Sequence, residues 1–297
     1  HGAPGSQNLK LTRKYYTEDM PDGRVKHIVQ NITDPDIVPY IPDGIGNSTD
    51  RQRIPAVLII PGGAFRRLVY NFEGEDVAKW LNSMGIAAFV LECRLPSDEH
   101  DNAEDVPLID AMRAMRVIRG RAQEFGIDEA KIGVMGFSAG GFMAALLSTA
   151  YESDVYADYK YKDEYDKLSA RPDFAVCSYP VISIDDCIEA GKRYMSEEQV
   201  LERISDSKAK ILHKYNPDKL VRPDMPPVFI CETDDDRTTL SENSVGFYMA
   251  ARKAGVSAEL HIFRTGGHGY GCGDDFAQTG EWKVLFTKWI KSIGIIS

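Results

Sequence analysis

The sequence predicts an α/β domain, with helices on both faces of a mostly parallel sheet of about eight strands. The main observation is an alternation in which apolar runs of strand length are each followed by a longer stretch with helical spacing. The second observation is a serine between glycines at one strand-to-helix junction, and the third is an aspartate-rich run and a glycine-wrapped histidine after two later strands. Strands are predicted near 56–60, 86–92, 131–135, 174–179, 227–231 and 258–263, and helices near 74–84, 105–124, 139–150, 241–254 and 276–292.

Residues 1–53 precede this alternation. Strand-like runs near 9–13 and 25–32 predict an antiparallel hairpin at the edge of the sheet. A stretch from 35 to 53 is rich in proline, glycine and aspartate and predicts a loop. There are no internal repeats, so we expect residues 1–297 to form one domain with these additions.

Two further segments exceed what the sheet requires. Residues 183–226 stand between two predicted strands, and we expect them to form a small cap above the strand ends, where ligands bind in such folds. Residues 151–171 contain five tyrosines among charged residues. Aromatic rings can stack on sugars, but a pair of surface helices with amphipathic tyrosines is the favoured interpretation of this segment.

Charge and composition exclude several classes of function. The 297 residues carry 35 Lys and Arg against 45 Asp and Glu, and the resulting net charge of −10 makes nucleic acids and anionic membranes poor partners. No apolar run approaches the roughly 18 residues of a membrane span. The sequence lacks a P-loop, a dinucleotide fingerprint and an H-E-x-x-H motif, so we expect neither a cofactor nor a metal. The five cysteines include no C-x-x-C pair and predict buried thiols rather than a disulfide framework.

The serine at the strand-to-helix junction is the first candidate catalytic residue. Ser138 lies within Gly136-Phe137-Ser138-Ala139-Gly140, after the strand-like run 131–135 and before the helix-like run 142–147. A serine at the tip of so sharp a turn needs small neighbours, because side chains there would clash with the strand and helix. The turn exposes the hydroxyl and directs the N-terminus of the helix towards the group that the hydroxyl attacks. This context predicts a nucleophilic serine.

A serine hydroxyl needs a base to take its proton and a third group to orient that base. Of the six histidines, His268 lies in a glycine-wrapped loop, 265–271, just after a predicted strand, and can therefore reach across to a serine. The acid is expected in the loop after the strand 227–230, where Asp234, Asp235 and Asp236 are consecutive. At least two of these aspartates must be loop charge or a helix cap, and the residue pattern alone does not choose among them.

Amide N–H groups that can stabilise an oxyanion are predicted at another strand end. The apolar strand 56–60 ends in Pro61-Gly62-Gly63-Ala64, a glycine turn. The N–H groups of Gly63 and Ala64, with that of Ala139 after the serine, can point at a developing alkoxide.

These pieces together resemble the α/β-hydrolase-fold carboxylesterases, and within them the branch of acetyl esterases that includes acetyl xylan esterases and esterase modules attached to xylanases. The order serine, aspartate, histidine is the order of that fold. The resemblance implies the α/β-hydrolase fold, and counting back from Glu242-Asn243-Ser244 assigns the acid to Asp236, with Asp235 as the alternative. Matching segments between Ile54 and Ile293 are 61–64, 73–82, 85–91, 94–95, 110–114, 136–141, 242–244 and 266–271.

The sequence departs from the branch at three places. Ala64 replaces a third glycine, although an alanine still donates its N–H, and Pro61 stands where the wider class often has histidine. Phe142 replaces a histidine after the elbow, and the acid loop lacks the usual Val-Pro. The bulky side chains of Phe65 and Phe142, with Tyr270 beside the histidine, are expected to border the substrate pocket.

The sequence therefore predicts a serine esterase that removes short acyl groups, chiefly acetyl, from plant polysaccharide or oligosaccharide through an acyl-enzyme. A serine peptidase of the prolyl-oligopeptidase type shares the triad order, but the chain is too short for an additional propeller. A non-catalytic hydrolase-fold binding protein is the other alternative, although such proteins usually lose a triad residue. A lipase is disfavoured because no long apolar lid helix is evident. The sequence leaves open the compartment, the alcohol part of the ester and a homo-oligomeric state.

Overall fold

The computed structural model describes residues 11–44, 53–157, 163–196, 198–199, 210–273 and 278–297. Its central sheet has seven strands in the order β10-β9-β8-β7-β4-β6-β3, and all neighbouring pairs are parallel except β3 with β6. The structure thus has the predicted α/β architecture, with seven strands in the central sheet where about eight were predicted. The strands of both sheets are β1 (Lys14–Asp19), β2 (Val25–Gln30), β3 (Asp36–Tyr40), β4 (Ile54–Ile60), β5 (Leu68–Val69), β6 (Ala87–Glu92), β7 (Ile127–Phe137), β8 (Ala175–Ser178), β9 (Val228–Thr233) and β10 (Ala258–Phe263).

Eight α-helices are described. Short 3-10 helices at Pro96–Asp98, Asp154–Tyr156, Glu164–Lys167 and Pro217–Leu220 and a π-helical turn at Asn71–Glu75 complete the regular structure. The α-helices are α1 (Asp76–Ser83), α2 (Val106–Gly120), α3 (Ala122–Phe125), α4 (Ala139–Ala150), α5 (Ile184–Tyr194), α6 (Lys210–Lys214), α7 (Ser241–Lys253) and α8 (Glu281–Ser292).

The hydrophobic core lies in two layers, one on each face of the central sheet. Alternate residues of β4 point to opposite faces, so Leu58 packs with the layer under α2, α4 and α7, whereas Val57 packs with the layer under α1 and α8. A strand covered on both faces needs apolar residues throughout, which is why β4 is a continuous apolar run. The candidate site residues lie in the loops that follow the carboxyl ends of β7, β9 and β10.

The N-terminal prediction was right about the hairpin and wrong about its place. Strands β1 and β2 pair antiparallel, but they form a separate three-stranded sheet with β5 instead of joining the edge of the main sheet. Residues 9 and 10 of the predicted first strand lie outside the described residues, residues 11–13 are not in a strand, and the first strand instead begins at Lys14. Part of the predicted loop from 35 to 53 is the antiparallel edge strand β3, which contains Pro39. A sheet edge tolerates proline because its outer side needs no N–H donor, so proline content alone was a poor guide there.

The tyrosine-rich segment packs against α2 where it is described. The Tyr156 hydroxyl donates to Asp166, and Arg116 lies over the Tyr156 ring at 4.1 Å. Arg113 likewise lies over Tyr165 and pairs with Asp163. The hydrogen-bonded hydroxyls agree with amphipathic tyrosines, but Tyr151 and Tyr156 are buried rather than on the surface, and Tyr159 and Tyr161 lie outside the described residues.

The predicted cap contains α5, α6 and the 3-10 helix at Pro217–Leu220, and parts of it lie outside the described residues. Ser183 caps the N-terminus of α5 by accepting a hydrogen bond from the Asp185 N–H. Within the described part of the chain, no helix combines the length and apolar character that crossing a membrane requires.

Candidate active site

The structure brings Ser138, His268 and Asp236 into one hydrogen-bonded chain. His268 Nε2 lies 2.8 Å from Ser138 Oγ, and His268 Nδ1 lies 2.6 Å from Asp236 Oδ2. The three residues come from loops that follow β7, β10 and β9, so the sheet brings together residues that are far apart in sequence. In this arrangement the imidazole can take the serine proton while the carboxylate fixes its orientation.

Ser138 occupies a strained turn between β7 and α4. Its φ of 54° and ψ of −117° are outside the regions that non-glycine residues usually adopt. The turn is so tight that a Cβ on Gly136 would lie 1.9 Å from the carbonyl oxygen of Gly140, and a Cβ on Gly140 would lie 1.9 Å from that of Ile60. Both glycines are therefore required by close backbone approach, as the sequence pattern predicted.

Asp236 is the aspartate that contacts the histidine. It is 2% exposed and accepts hydrogen bonds from the N–H groups of Thr238 and Thr239. Burial alone would raise the pKa of Asp236, but the hydrogen bond and positive field of His268, with these two N–H groups, hold it below its ordinary value.

The two preceding aspartates have other positions. Asp235 Oδ1 accepts a hydrogen bond from the Gly267 N–H at 2.8 Å, and so contacts the backbone of the histidine loop rather than the imidazole. Asp234 is exposed. Of the two candidates that the resemblance left, Asp236 is therefore the one that contacts the imidazole.

Glu232 is a buried carboxyl group beside the acid that sequence reasoning passed over. Its carboxyl group accepts hydrogen bonds from the N–H of the next residue, Thr233, and from the Ser244 hydroxyl. Burial first, and the charge of Asp236 second, raise the pKa of Glu232 well above its ordinary value.

The predicted oxyanion turn lies directly against the serine. A Cβ on Gly62 would lie 3.0 Å from the Ser138 Cβ. The Gly62 N–H is already bonded to Glu73 Oε2 at 2.8 Å, so the next N–H groups, those of Gly63 and Ala64, are the candidate donors on this side. Ala139, the third predicted donor, is the first residue of α4, where backbone N–H groups have no partner within the helix.

The turn itself has unusual backbone angles. Gly63 has a φ of 140°, and a Cβ there would lie 2.1 Å from the Arg67 carbonyl oxygen. Ala64 and Phe65 follow with φ values of 57° and 59°, in the left-handed region that favours glycine. Ala64 therefore adopts a left-handed conformation at the position where the resemblance to acetyl esterases implies a third glycine.

An apolar cavity of about 10 Å³ lies beside this turn, and Phe65 is in its wall with Leu68, Ala139 and Met143. The other two predicted pocket residues do not line it. Phe142 is fully buried and packs edge-on against Phe65 with ring centroids 5.5 Å apart. Tyr270 is buried against Tyr179 with ring centroids 4.5 Å apart. Phe142 and Tyr270 are therefore buried rather than exposed to this cavity, and their place at the border of the substrate pocket stays a prediction.

Two buried residues that link the site loops, Glu73 and Tyr179, were also given no role from the sequence. The Tyr179 hydroxyl donates to Glu73 Oε1 at 2.9 Å. Glu73 belongs to a segment that matches the related sequences, but nothing in its local pattern indicates that it reaches the oxyanion turn. The described residues contain no cluster of three His, Cys, Asp or Glu side chains placed to hold a metal ion.

A serine at a strand-to-helix elbow on a mostly parallel sheet is the architecture of the α/β-hydrolases, and a solved structure similar to this chain has the same fold. The chain belongs to the BD-FAE family, whose profile matches residues 45–250.

Two curated relatives and one solved structure are similar to this chain. An acetylxylan esterase of Xylanibacter ruminicola is 31% identical over 240 residues, which are 80% of this chain and 45% of the relative. The endo-1,4-beta-xylanase B of Butyrivibrio fibrisolvens is 31% identical over 227 residues, 76% of this chain and 34% of the relative. The crystal structure of an acetyl ester-xyloside bifunctional hydrolase from Caldicellulosiruptor lactoaceticus is 38% identical, covers 89% of both chains and superposes with a TM-score of 0.70. The chain thus spans less than half the length of the curated relatives.

Proposed function

We propose that this chain removes short acyl groups, chiefly acetyl, from esters of plant polysaccharide or its fragments, using Ser138, His268 and Asp236 as a catalytic triad. The observation that carries the proposal is the continuous chain of hydrogen bonds from Ser138 Oγ through His268 to a buried Asp236. The names of the relatives, an acetylxylan esterase, a xylanase and an acetyl ester-xyloside hydrolase, support the acetyl group and the xylan context.

Acylation begins when Ser138 Oγ attacks the ester carbonyl carbon while His268 Nε2 takes the hydroxyl proton. Asp236 holds the imidazole in the required tautomer and stabilises its cationic form. The negative oxygen of the tetrahedral intermediate lies against the N–H groups of Gly63, Ala64 and Ala139. When the intermediate collapses, the bond to the alkoxy oxygen breaks, His268 returns its proton to that oxygen, and the alcohol leaves.

Deacylation repeats these steps with water. His268 takes a proton from a water molecule, whose oxygen attacks the acyl carbon that is bonded to Ser138 Oγ. The second tetrahedral intermediate uses the same N–H groups, and the bond to Ser138 breaks as His268 returns the proton to Oγ. The products are the free alcohol and a carboxylic acid, and the enzyme is restored.

The acyl group and the alcohol are assigned to different sides of Ser138. We assign the acyl group to the side of the oxyanion turn where Phe65 lies, and the free space there, about 10 Å³ or roughly that of one water molecule, means that any acyl group bound on this side must be small. The cap of residues 183–226 follows β8, whose carboxyl end is next to that of β7, and so stands on the side where an alcohol can leave. We assign the alcohol, a sugar residue of the polysaccharide, to this side.

The test is the hydrolysis of p-nitrophenyl acetate and acetylated xylan by Ser138→Ala and His268→Ala. Each variant should keep the fold and lose about 10⁴-fold or more in kcat, because the triad residues act as one unit. A fluorophosphonate should add its mass to the wild-type protein and leave Ser138→Ala unlabelled. Ser83→Ala, which replaces an exposed serine in α1, is the matched control and should be labelled and active like the wild type. Wild-type turnover by Ser138→Ala would reject the proposed function.

A further inference from the structure

We infer that Glu73 and Tyr179 are a positioning pair that holds the oxyanion turn and the acid and histidine loops in their working places around Ser138. The inference rests on the proposed function, since it assigns these residues a role in the same reaction. Neither side chain is expected to touch the substrate, and both are buried beneath the loops that carry the reacting groups.

Glu73 fixes the entry to the oxyanion turn. It lies in the π-helical turn Asn71–Glu75 and is 4% exposed. Its Oε2 accepts the Gly62 N–H at 2.8 Å and its Oε1 accepts the Tyr179 hydroxyl at 2.9 Å, so each carboxyl oxygen holds a different loop. Because Gly62 immediately precedes the proposed donor Gly63, a shift of the Gly62 peptide would move the donors relative to Ser138.

Tyr179 fixes the histidine loop. Its hydroxyl accepts the Gly271 N–H at 3.0 Å while donating to Glu73. The edge of its ring packs against the His268 ring, with centroids 5.0 Å apart. The Tyr179 ring thus limits the movement of the imidazole on one side. The Tyr179 hydroxyl also holds the backbone of the same loop at Gly271.

The backbone of Tyr179 reaches the acid loop and the elbow. Its carbonyl oxygen lies 3.3 Å from Thr239 Oγ1, and that hydroxyl also lies 3.0 Å from Asp236 Oδ2. The preceding residue, Ser178, accepts the Ser138 N–H at 3.0 Å. Tyr179 has a φ of 37°, which a bulky residue adopts only where the surroundings enforce it, and such strain is concentrated at functional sites.

A side chain that only filled the space at Glu73 would not need a carboxyl group. Burying a carboxyl group is unfavourable, and the pKa of Glu73 is raised by that burial despite the opposing effects of Tyr179, His268 and Gly62. An apolar side chain would fill the same space without that cost. The carboxyl group of Glu73 adds two directional hydrogen bonds, one to Gly62 and one to Tyr179. Tyr179 in turn binds Gly271, so three segments that are distant in sequence are joined.

The kinetic consequence should appear in kcat. Donors of the oxyanion hole act mainly in the transition state, so their misplacement slows the chemical step more than it weakens substrate binding. A displacement of about 1 Å at a catalytic group can cost on the order of 100-fold in rate. We therefore expect kcat to fall while KM stays nearly constant.

The experiment compares Tyr179→Phe, Glu73→Gln and Glu73→Leu with wild type on p-nitrophenyl acetate, with rates expressed per fluorophosphonate-titrated site. Tyr179→Phe and Glu73→Gln should lower kcat by about 10-fold, and Glu73→Leu by about 100-fold, with KM within about threefold. Glutamine should retain part of the activity because its amide oxygen can still accept the Gly62 N–H, whereas leucine offers no acceptor. Titrating the sites removes any contribution from unfolded protein.

The matched control is Tyr156→Phe. It also deletes a buried tyrosine hydroxyl that donates to a carboxylate, Asp166, but it lies against the helix α2. Its kcat should equal that of the wild type even if its Tm falls.

The inference is overturned if Tyr179→Phe and Glu73→Gln keep wild-type kcat per titrated site, or if Tyr156→Phe loses as much kcat as they do. It is also overturned if Glu73→Gln and Glu73→Leu have equal kcat, because hydrogen-bond acceptance would then be irrelevant. If Ser138→Ala is inactive while the pair variants are normal, only the positioning role fails. An active Ser138→Ala would instead reject the proposed function, and the positioning role with it.

Discussion

At the scale of single residues, the acid loop shows how one carboxylate acquires a role that its neighbours lack. Asp234, Asp235 and Asp236 have the same side chain, yet only Asp236 is turned inward, where the N–H groups of Thr238 and Thr239 and the imidazole of His268 surround it. Asp235 holds the Gly267 backbone of the histidine loop. Position in the loop, rather than residue type, decides the function.

The acid assignment gives a prediction that separates the three aspartates. Asp236→Asn should lower kcat by about 10⁴-fold, because an amide favours the wrong imidazole tautomer. Asp234→Asn should have nearly the kcat of the wild type, because Asp234 is exposed. The kcat of Asp235→Asn should lie between the other two: the hydrogen bond to the histidine loop is weakened, but an asparagine can still accept the Gly267 N–H. Measurements of kcat on p-nitrophenyl acetate for the three variants check the order. A severe loss in Asp235→Asn with a mild effect in Asp236→Asn would move the acid by one position.

The residues that the sequence indicated and those that it missed differ in where their evidence lies. Ser138 and His268 are recognisable because the glycines that their tight loops need are adjacent in sequence. Glu73 and Tyr179 act through partners that are distant along the chain, at Gly62 and Gly271, and no local pattern encodes such contacts. Asp236 is intermediate, because the residue pattern indicated only the loop, the resemblance assigned the acid to Asp236, and the structure places that residue against the imidazole.

At the scale of elements, the elbow between β7 and α4 depends on the absence of side chains. Gly140 lies where α4 begins, with the end of β4 so close that a Cβ would be 1.9 Å from the Ile60 carbonyl oxygen. Two backbones in such contact cannot separate without moving the serine or the strand that leads to the oxyanion turn. The packing of the helix on the sheet and the position of Ser138 are thus fixed by the same contact.

This contact predicts that Gly140→Ala is severely destabilising, with a loss in the free energy of unfolding of about 3 kcal/mol or more, because the clash is with backbone. The control is Gly246→Ala in the exposed face of α7, where nothing lies within 4 Å of the added Cβ. That change should stabilise by about 0.5–1 kcal/mol, since alanine is the better helix former. Urea unfolding of both variants tests the pair. Equal stabilities would show that the close approach at Gly140 is not rigid.

Elements whose sequences show a clear hydrophobic periodicity were predictable, whereas strands that depend on pairing with a distant segment were not. The bounds predicted for α4 and β10 agree with the structure, because both lie between clear turn signals. The edge strand β3 was predicted as loop because its sequence contains Pro39, and the hairpin of β1 and β2 was assigned to the wrong sheet. Its partner, β5, has only two residues, too few to give any alternating pattern.

At the scale of the whole molecule, the strand order places the two segments that the proposal assigns to the acyl group and to the alcohol on opposite sides of β7. The oxyanion turn follows β4 on one side of β7, and the cap segment follows β8 on the other. Strand order was not readable from the sequence, because pairing across a parallel sheet depends on crossover connections. The resemblance to acetyl esterases implied the α/β-hydrolase fold in advance, and the structural similarity at a TM-score of 0.70 agrees with that fold.

The size of the acyl side predicts the preferred substrate. The cavity beside the oxyanion turn measures about 10 Å³, and Phe65 closes part of its wall with Phe142 packed behind it. Acetyl esters should therefore have the highest kcat/KM, with a steep fall by butyrate or hexanoate, because each methylene that a fitted pocket excludes costs roughly 1–3 kcal/mol. Phe65→Ala removes a wall residue and should shift the preference towards butyrate. The control is Phe125→Ala, which removes a ring packed on Phe89 instead of one in the cavity wall. It should leave the order of substrates unchanged. The measurement is kcat/KM for p-nitrophenyl esters from acetate to octanoate with all three proteins. Faster hydrolysis of octanoate than of acetate by the wild type would contradict the small acyl pocket and would point to a lipase, since a site that gains from added methylenes must offer them more apolar space than a cavity of this size provides.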